Sequence, residues 1–531
     1  MRKKVLILYP NLPLMMVPAL SVAIFSAICK QEDVEVKVFE TTNYSNDYNN
    51  RHIRMTEIGA ARTNSEDELK DIYFIQPKSK IIPDLTNLME TYKPDLVLMS
   101  VQEDVWYDSL DLLKVVDEYN IPHILGGVFP TSVPDLVMNN PLVKNICRQE
   151  GENLVRDAIK AIKEDRDITS IDGLIWKDNT GKIHKNKPQQ LCDITKVVPD
   201  FSAFPINRWK RPMGGKIFER AVSMETYRGC PYNCTYCNSP NTRNVASKEL
   251  KIGNFMRRKP VDVIESELLH YKELMNPDLI MFQDDSFLAR PKKEIFEFCE
   301  MWSKYKIPFW FNTRIENCTP DVLLALKNAG VYRMTFGLES GNEKYRMKML
   351  QRPVTNESYR KHFEYINDSN IPYSLNVIIG MPLETRDMVL ETASLIYDTH
   401  GGHDGLTISM FQPYNGTPLR EIAVKNGFID KDYITSDGGL LDQYALKMPA
   451  PYVSPIEVKR LAKTFSLYSF FHKSRWAEIF EAETNDELFN ILLKEYQSIF
   501  FEDIQAGGKD KIGKYCAKHD PSSTYEFTAV L

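Results

Sequence analysis

Near the middle of the chain, the run Arg228-Gly-Cys-Pro-Tyr-Asn-Cys-Thr-Tyr-Cys-Asn238 sets Cys230, Cys234 and Cys237 at the spacing C-x3-C-x2-C. A chain with this run must fold so that one tight loop presents three sulfurs together. Three thiolates on one loop can hold three irons of a four-iron cluster and leave the fourth iron open. An open coordination position separates a catalytic metal site from a structural one. A structural zinc site normally takes four protein ligands. Here the fourth would come from Cys192, Cys299 or Cys318, and none has a paired Cys or His at finger spacing. A disulfide framework suits small secreted domains, not 531 residues with nine cysteines.

Charge narrows the partners. With 66 basic and 72 acidic residues the net charge is −6. That argues against non-specific binding to DNA or RNA, and no nucleic-acid partner is expected. Unpaired cysteines and a cluster motif fit the cytoplasm. Val5–Cys29 carries no charge and follows Arg2-Lys3-Lys4, superficially like a signal peptide or membrane span. Pro10, Asn11, Pro13 and Pro18 interrupt it. A buried strand, a loop and a buried helix explain it better, so no transmembrane segment is expected.

Residues 1–165 alternate strands and helices. The strands are Val5–Tyr9, Val34–Phe39, Asp95–Val101, His123–Gly127 and Val143–Arg148, and the helices are Ala19–Lys30, Ser109–Tyr119 and Glu152–Lys163. This pattern predicts a doubly wound parallel sheet with its ligand at the carboxyl ends of the strands. The turn after the first strand contains no glycine, which excludes a dinucleotide or P-loop site. Ile171–Lys187 reads as a hairpin around Asn179-Thr-Gly181, and Val197–Pro205 as a Pro-rich connector.

The alternation resumes over 215–425. Strands are expected at Ala221–Thr226, Leu279–Asp284, Phe309–Arg314, Arg333–Leu338, Ser374–Ile379 and Leu406–Phe411. Six such units make a partial (β/α)6 barrel, whose catalytic residues belong at the carboxyl ends of the strands. Those ends carry Asp284 and Asp285, Arg314 and Glu316, Gly337-Leu-Glu339-Ser-Gly341, Asn376, Glu384-Thr385 and Pro413–Pro418. Each carboxylate also has a bland reading: Asp285 as a cap, Glu384-Thr385 as a helix start, and Lys348 with Arg352 as a helix-end basic pair. Residues 426–531 read as helical. Capping boxes stand at Ser454-Pro-x-Glu457 and Thr484-x-x-Glu487, and Phe465, Leu467, Phe470, Phe471, Trp476 and Phe480 form a stripe read as core. Lys511–Leu531 reads as weakly ordered.

On the cysteine run the chain resembles the radical S-adenosylmethionine (SAM) enzymes. Gly126-Gly127-x-x-Pro130-Thr131-x-x-Pro134 and Gln149-Glu150-Gly151-Glu152 resemble the cobalamin-binding domain that precedes many radical SAM domains. The resemblance covers roughly residues 1–425. It implies a cobalamin-binding, flavodoxin-like domain (1–165), a hairpin and linker (166–214), a radical SAM (β/α)6 domain (215–425) and a helical C-terminal domain (426–531). It implies a 4Fe-4S cluster on Cys230, Cys234 and Cys237, and SAM contacts from Tyr236, Asp284, Asp285, Arg314, Glu339 and Asn376. For cobalamin it implies Ser100, Gln102, Glu103, Gly126, Gly127, Phe129, Thr131, Glu150, Gly151 and Glu152. A small-molecule or lipid-like substrate and an electron donor such as flavodoxin or ferredoxin are further implications.

The sequence departs from the family in two ways. Phe129 stands where many relatives have His, and the D-x-H-x-x-G motif that ligates cobalt elsewhere is missing. Asp398-Thr-His400-Gly-Gly-His403 is read as coincidence, and Glu103, Asp104 or Tyr107 as residues that could approach the metal. The implied reaction is methyl transfer to an unactivated carbon by way of a 5′-deoxyadenosyl radical. The rivals are cyclisation, rearrangement or oxidation without methyl transfer, tRNA methylthiolation, and a cofactor-carrying module without catalysis. Methylthiolation needs further cluster cysteines, where only Cys29 and Cys147 stand, and a basic RNA module.

Overall fold

The computed structural model describes residues 2–13, 17–45, 74–213, 216–401, 405–436 and 444–499. His403 and Lys511–Leu531 lie outside them. The first sheet has seven strands: β1 (Lys4–Tyr9), β2 (Glu35–Glu40), β3 (Leu96–Ser100), β4 (His123–Gly126), β5 (Asn145–Cys147), β6 (Leu174–Lys177) and β7 (Ile183–Lys185). Their order is β2-β1-β3-β4-β5-β6-β7, with the first five parallel. The order of strand addition reverses between β1 and β3, which opens a crevice at that switch point.

Near-continuous apolar runs make the central strands buried on both faces, as a doubly wound sheet requires. Helices Leu20–Gln31 and Glu152–Lys163 cover one face; Ile81–Tyr92 and Trp106–Glu118 cover the other. Among the described residues, the charge-free amino terminus supplies β1 and the helix Leu20–Gln31. No described helix is long and apolar enough to cross a membrane. The hairpin β6–β7 does not stand apart as a linker. It extends the first sheet, antiparallel to β5, and its turn is closed by the Asp178 side chain accepting from the Thr180 and Lys182 amides. The connector beyond runs back along the first domain, where fully buried Arg208 pairs with Glu40 at 2.6 Å.

A small ribbon of β8 (Arg211–Met213) and β9 (Lys216–Phe218) leads into the second unit. There β10 (Ala221–Met224) is followed by a two-residue ribbon, β11 (Tyr227–Arg228) with β12 (Arg257–Arg258), which flanks the cysteine loop. The remaining strands are β13 (Leu279–Phe282), β14 (Phe309–Thr313), β15 (Val331–Glu339), β16 (Tyr373–Ile379) and β17 (Leu406–Met410). All six main strands are parallel and stand in sequence order, β10-β13-β14-β15-β16-β17. Strand number, order and direction are those expected of six (β/α) units. Alternation sorts the side chains. Phe309, Phe311 and Phe282 join Phe287, Phe298 and Trp302 in an aromatic core beneath the helices. The opposite face keeps Asn312, Asn376 and Thr407 half-exposed.

The tail helix Pro455–Phe470 begins with the expected capping box at Ser454 and Glu457. The second box is displaced by one residue. Asn485, a better N-cap than Thr484, accepts from the Leu488 amide and starts the helix Asp486–Gln497. Phe465, Leu467, Phe470 and Phe471 are core, whereas Phe480 is exposed beneath the Arg386 guanidinium. The tail helix packs against helix Arg386–Asp398 and β17, and its Val458 lies against Gly380 at the carboxyl end of β16. The segment before it reaches the carboxyl end of β16, where Tyr444 donates to the Gly380 carbonyl and the Val453 amide to the Glu384 carbonyl.

Candidate functional site

The cysteine loop is braced from several elements. Asp284, at the end of β13, is buried and accepts from the Thr226 and Tyr227 amides (2.7 and 3.1 Å), the Thr226 hydroxyl and Arg290 Nη2 (2.7 Å). Burial raises its carboxyl pKa against the pull of Arg290. All its acceptor positions hold up the strand leading to the cysteines, so Asp284 is a brace with nothing left to offer a ligand. Beyond Cys237, which caps helix Asn238–Asn244, Arg243 donates back to the Cys230 and Tyr232 carbonyls.

Cys230, Cys234 and Cys237 are each half-exposed. Burial pushes the Cys230 thiol up to about 12 and that of Cys237 up to about 11. Thiolates there need a cation nearby. Among the described residues the only three ligand-type side chains with donor atoms mutually within 4.8 Å are Glu150, Glu152 and Cys192. The triad's sulfurs are therefore more widely spread. Three thiolates on one zinc, at Zn–S ≈ 2.3 Å, would sit closer together than that. A donor set of three spread sulfurs fits a multi-iron cluster. Cys299 and Cys318 are buried in the core and Cys192 lies in the linker, so among the described residues no fourth sulfur joins them; Cys516 lies outside those residues.

A compact buried cluster stands beside the loop. Tyr236 donates from its hydroxyl to Glu339 Oε1 (3.1 Å) and accepts from Arg352 Nη1 (2.8 Å). Arg352 also meets Glu339 Oε1 at 3.2 Å and donates to the Gly337 carbonyl at 2.5 Å. Burial raises the Glu339 pKa, with Arg352 opposing it. Glu339 has φ of 65° at a register shift in β15, a strained conformation of the kind that clusters at functional sites. The Gly-Leu-Glu-Ser-Gly run follows from this packing. A Cβ on Gly337 would lie 2.2 Å from Glu339 Oε1, and one on Gly341 2.5 Å from Thr392 Cα. Arg352, offered by spacing only as a helix-end residue, is thus central to the cluster. No local signal marks it, because its partners lie 13 and 116 residues away.

Arg314 ends β14 with its guanidinium 3.9 Å from the centre of the Tyr232 ring, inside the cysteine loop, and 2.5 Å from Glu316. Asp285 is accessible yet ringed by protein. Burial raises its pKa against a hydrogen bond from Ser239, and the carboxylates of Asp284 and Glu225 add to the rise. Asn376 lies on the half-exposed face of β16. Thr385 caps the next helix, and Glu384 accepts from the Gly380 and Met381 amides. His400 follows helix Arg386–Asp398, at the sheet end opposite the cysteines.

The first domain holds a cavity of about 350 Å³ at its switch point. Of the residues expected there, Ser100, Gly126, Gly127, Thr131, Glu150, Gly151 and Glu152 line it. Three do not. Phe129 is buried and packs edge-on to Trp106 at 5.3 Å. Gln102 is exposed away from the cavity. Buried Glu103 accepts from the Asn415 amide (2.8 Å), Asn415 Nδ2 (2.7 Å) and the Thr435 amide (2.9 Å), which consumes it in holding the two domains together. Asp104 likewise accepts from the Tyr414 hydroxyl at 3.0 Å, and Tyr107 is exposed. Gly127 is required by the fold itself: φ is 112°, and a Cβ would lie 2.4 Å from the Val101 carbonyl. His123 is buried at the amino end of β4, its Nε2 accepting from the Lys144 amide. Burial pushes the thiols of Cys29 and Cys147 up to about 12.

Both sheets turn their carboxyl ends to one interface. Asn241 donates to Ser132 (3.1 Å), Gln149 to the Thr242 carbonyl (2.9 Å), and Arg148 to Glu249 (2.9 Å). At its centre Arg228 and Arg257 meet Glu150, Glu152 and Glu225. Against the upward push of burial, Arg228 and Arg257 hold the Glu150 carboxyl below its usual range. Cavity and cysteine loop therefore share one wall.

Residues 224–396 match the family described as the Radical SAM superfamily. The chain is 26% identical over 357 residues to an uncharacterized methyltransferase of Pyrococcus horikoshii, covering 65% of this chain and 73% of that protein. It is 23% identical over 320 residues to the anaerobic magnesium-protoporphyrin IX monomethyl ester cyclase of Rubrivivax gelatinosus, covering 58% of this chain and 55% of the cyclase. The fold superposes on the radical SAM methyltransferase TsrM of Kitasatospora setae, solved with cobalamin and a [4Fe-4S] cluster, with a TM-score of 0.62 at 12% identity over 94% of this chain and 99% of that one. The chain carries a radical SAM domain behind a Rossmann-like domain of parallel strands.

Proposed function

We propose that this chain, a radical SAM enzyme with the domain pairing of the cobalamin-dependent group, methylates an unactivated carbon of a small-molecule or lipid-like substrate. The observation that carries this reading is the shared wall, because the cavity of the first domain ends on Arg228, two residues before Cys230. When bound, a 4Fe-4S cluster, SAM and cobalamin would supply an electron, a hydrogen-abstracting radical and a methyl group. Cys230, Cys234 and Cys237 hold the cluster in this reading. Glu339, with Arg352 and Tyr236 fixing it, presents a carboxylate to SAM. Arg314 offers a cation, Asp285 an acceptor and Asn376, on the half-exposed face of β16, an amide. Ser100, Gly126, Gly127, Thr131, Glu150, Gly151 and Glu152 seat cobalamin. The latch of Glu103, Asp104, Tyr414 and Asn415 keeps water from that side of the interface.

The test is anaerobic turnover with methyl-labelled SAM. Methyl transfer puts label in the product and forms 5′-deoxyadenosine and S-adenosylhomocysteine together. An unlabelled product with 5′-deoxyadenosine alone would instead indicate the cyclase type of reaction, the chemistry named for the Rubrivivax relative.

A further inference from the structure

The guanidinium of Arg228 divides its donors between two domains. Nε and Nη2 form a two-pronged pair with Glu225 of its own domain, both at 2.9 Å. Nη1 points the other way, to Glu150 (3.0 Å) and Glu152 (2.7 Å) of the first domain and to Cys192 Sγ (3.5 Å) in the linker. Arg257 supports the same junction, donating to Glu150 Oε2 (3.1 Å) and the Cys192 carbonyl. Glu150 is saturated, accepting also from Arg257 Nη2 and the Cys192 amide (3.0 Å), whereas the Glu152 carboxylate is met by Nη1 alone and keeps acceptor capacity toward the cavity. Arg228, Glu150, Glu152 and Glu225 all line the cavity, and so does Phe255. Phe255 also presses on the cysteine loop: a Cβ on Gly229, whose φ is 90°, would lie 3.0 Å from its ring. Two independent contacts thus run from the cavity wall to the residues just before Cys230.

We propose, resting on the reading above, that Arg228 is a positioning residue through which occupancy of the first domain's cavity sets the placement of the cluster loop. A ligand rich in N–H donors, as the amide-fringed corrin ring is, competes with Nη1 for Glu152. Nε and Nη2 stay on Glu225, so the guanidinium pivots and carries Gly229 and Cys230 with it. Such coupling is reciprocal, so the cluster must alter cobalamin affinity as cobalamin alters the cluster.

The experiment is a hydroxocobalamin titration, followed by absorbance, of the full chain with and without its reconstituted cluster, with the electron paramagnetic resonance spectrum of the reduced cluster as second readout. In the wild type the two dissociation constants differ by roughly 5- to 150-fold, and cobalamin changes the cluster spectrum. Glu152→Gln neutralises the nearer first-domain partner of Nη1 and leaves Glu150 in place. It keeps about four irons, but the difference falls below about twofold and the spectrum ignores cobalamin. Arg228→Lys keeps the charge, cannot span both partners, and gives the same collapse. Variants that couple like the wild type overturn the proposal, as does wild-type binding indifferent to the cluster. Wild-type protein that binds no cobalamin overturns it together with the reading of the first domain; equal binding with and without cluster sinks the coupling alone.

Discussion

At the scale of single residues, the cysteine triad and the glycines beside Glu339 were legible in the sequence, because their chemistry or geometry is local. Their partners were not. Arg352 reaches Tyr236 across 116 residues and Arg228 reaches Glu150 across 78, and no spacing rule spans such gaps. Gly337 makes a sharp test. Gly337→Ala would drive a Cβ into Glu339 Oε1, turning its carboxylate from Arg352 and Tyr236. SAM affinity, measured by equilibrium dialysis, should fall at least about tenfold, with iron content kept. Glu384 gives a pH prediction. Burial pushes its carboxyl from 4.5 to about 8. Between those values the folded protein holds a proton that the unfolded chain has released, so stability declines as pH rises through this window and levels off above about 8. Glu384→Gln removes the ionisation. Its melting temperature relative to wild type should rise progressively from pH 5 to pH 8, the gap corresponding to at most roughly 4–5 kcal/mol.

At the scale of elements, strands were read well because apolar runs of the right length have few other uses in a soluble domain. Helices with clear caps were placed within a few residues. The helix Ile81–Tyr92 was not anticipated; Pro83 in its first turn hides a start that a first turn tolerates. The β6–β7 hairpin was found but not its attachment, since pairing to β5 depends on an edge that only the assembled sheet creates. Phe129 was assigned to the cofactor for its place in a motif and Glu103 for its place in the loop after the third strand; packing puts the first in the core and the second in the latch. Glu103→Ala would strand three buried donors and should lower stability by about 3–5 kcal/mol. Hydrogen exchange should quicken at Asn415 and Thr435 while the amides of β1 and β3 keep their protection.

At the scale of the whole molecule, the sequence announced two alternating blocks, and the structure adds that their carboxyl edges confront each other. Two cofactor loads should then separate by mutation. Anaerobically reconstituted protein is expected to hold about four irons and one cobalamin per chain, and Cys234→Ala to lose the iron while still binding cobalamin. Metal analysis and the corrin absorbance read both; zinc in place of iron would end the scheme. The latch has a bearing on biogenesis as well. Glu103 meets Asn415 across 312 residues and Thr435 across 332, so more than 300 further residues must be made before this seam can close. Until then the amino-terminal half must persist with the Glu103 carboxylate lacking its three donors, although the cysteine loop has already been made.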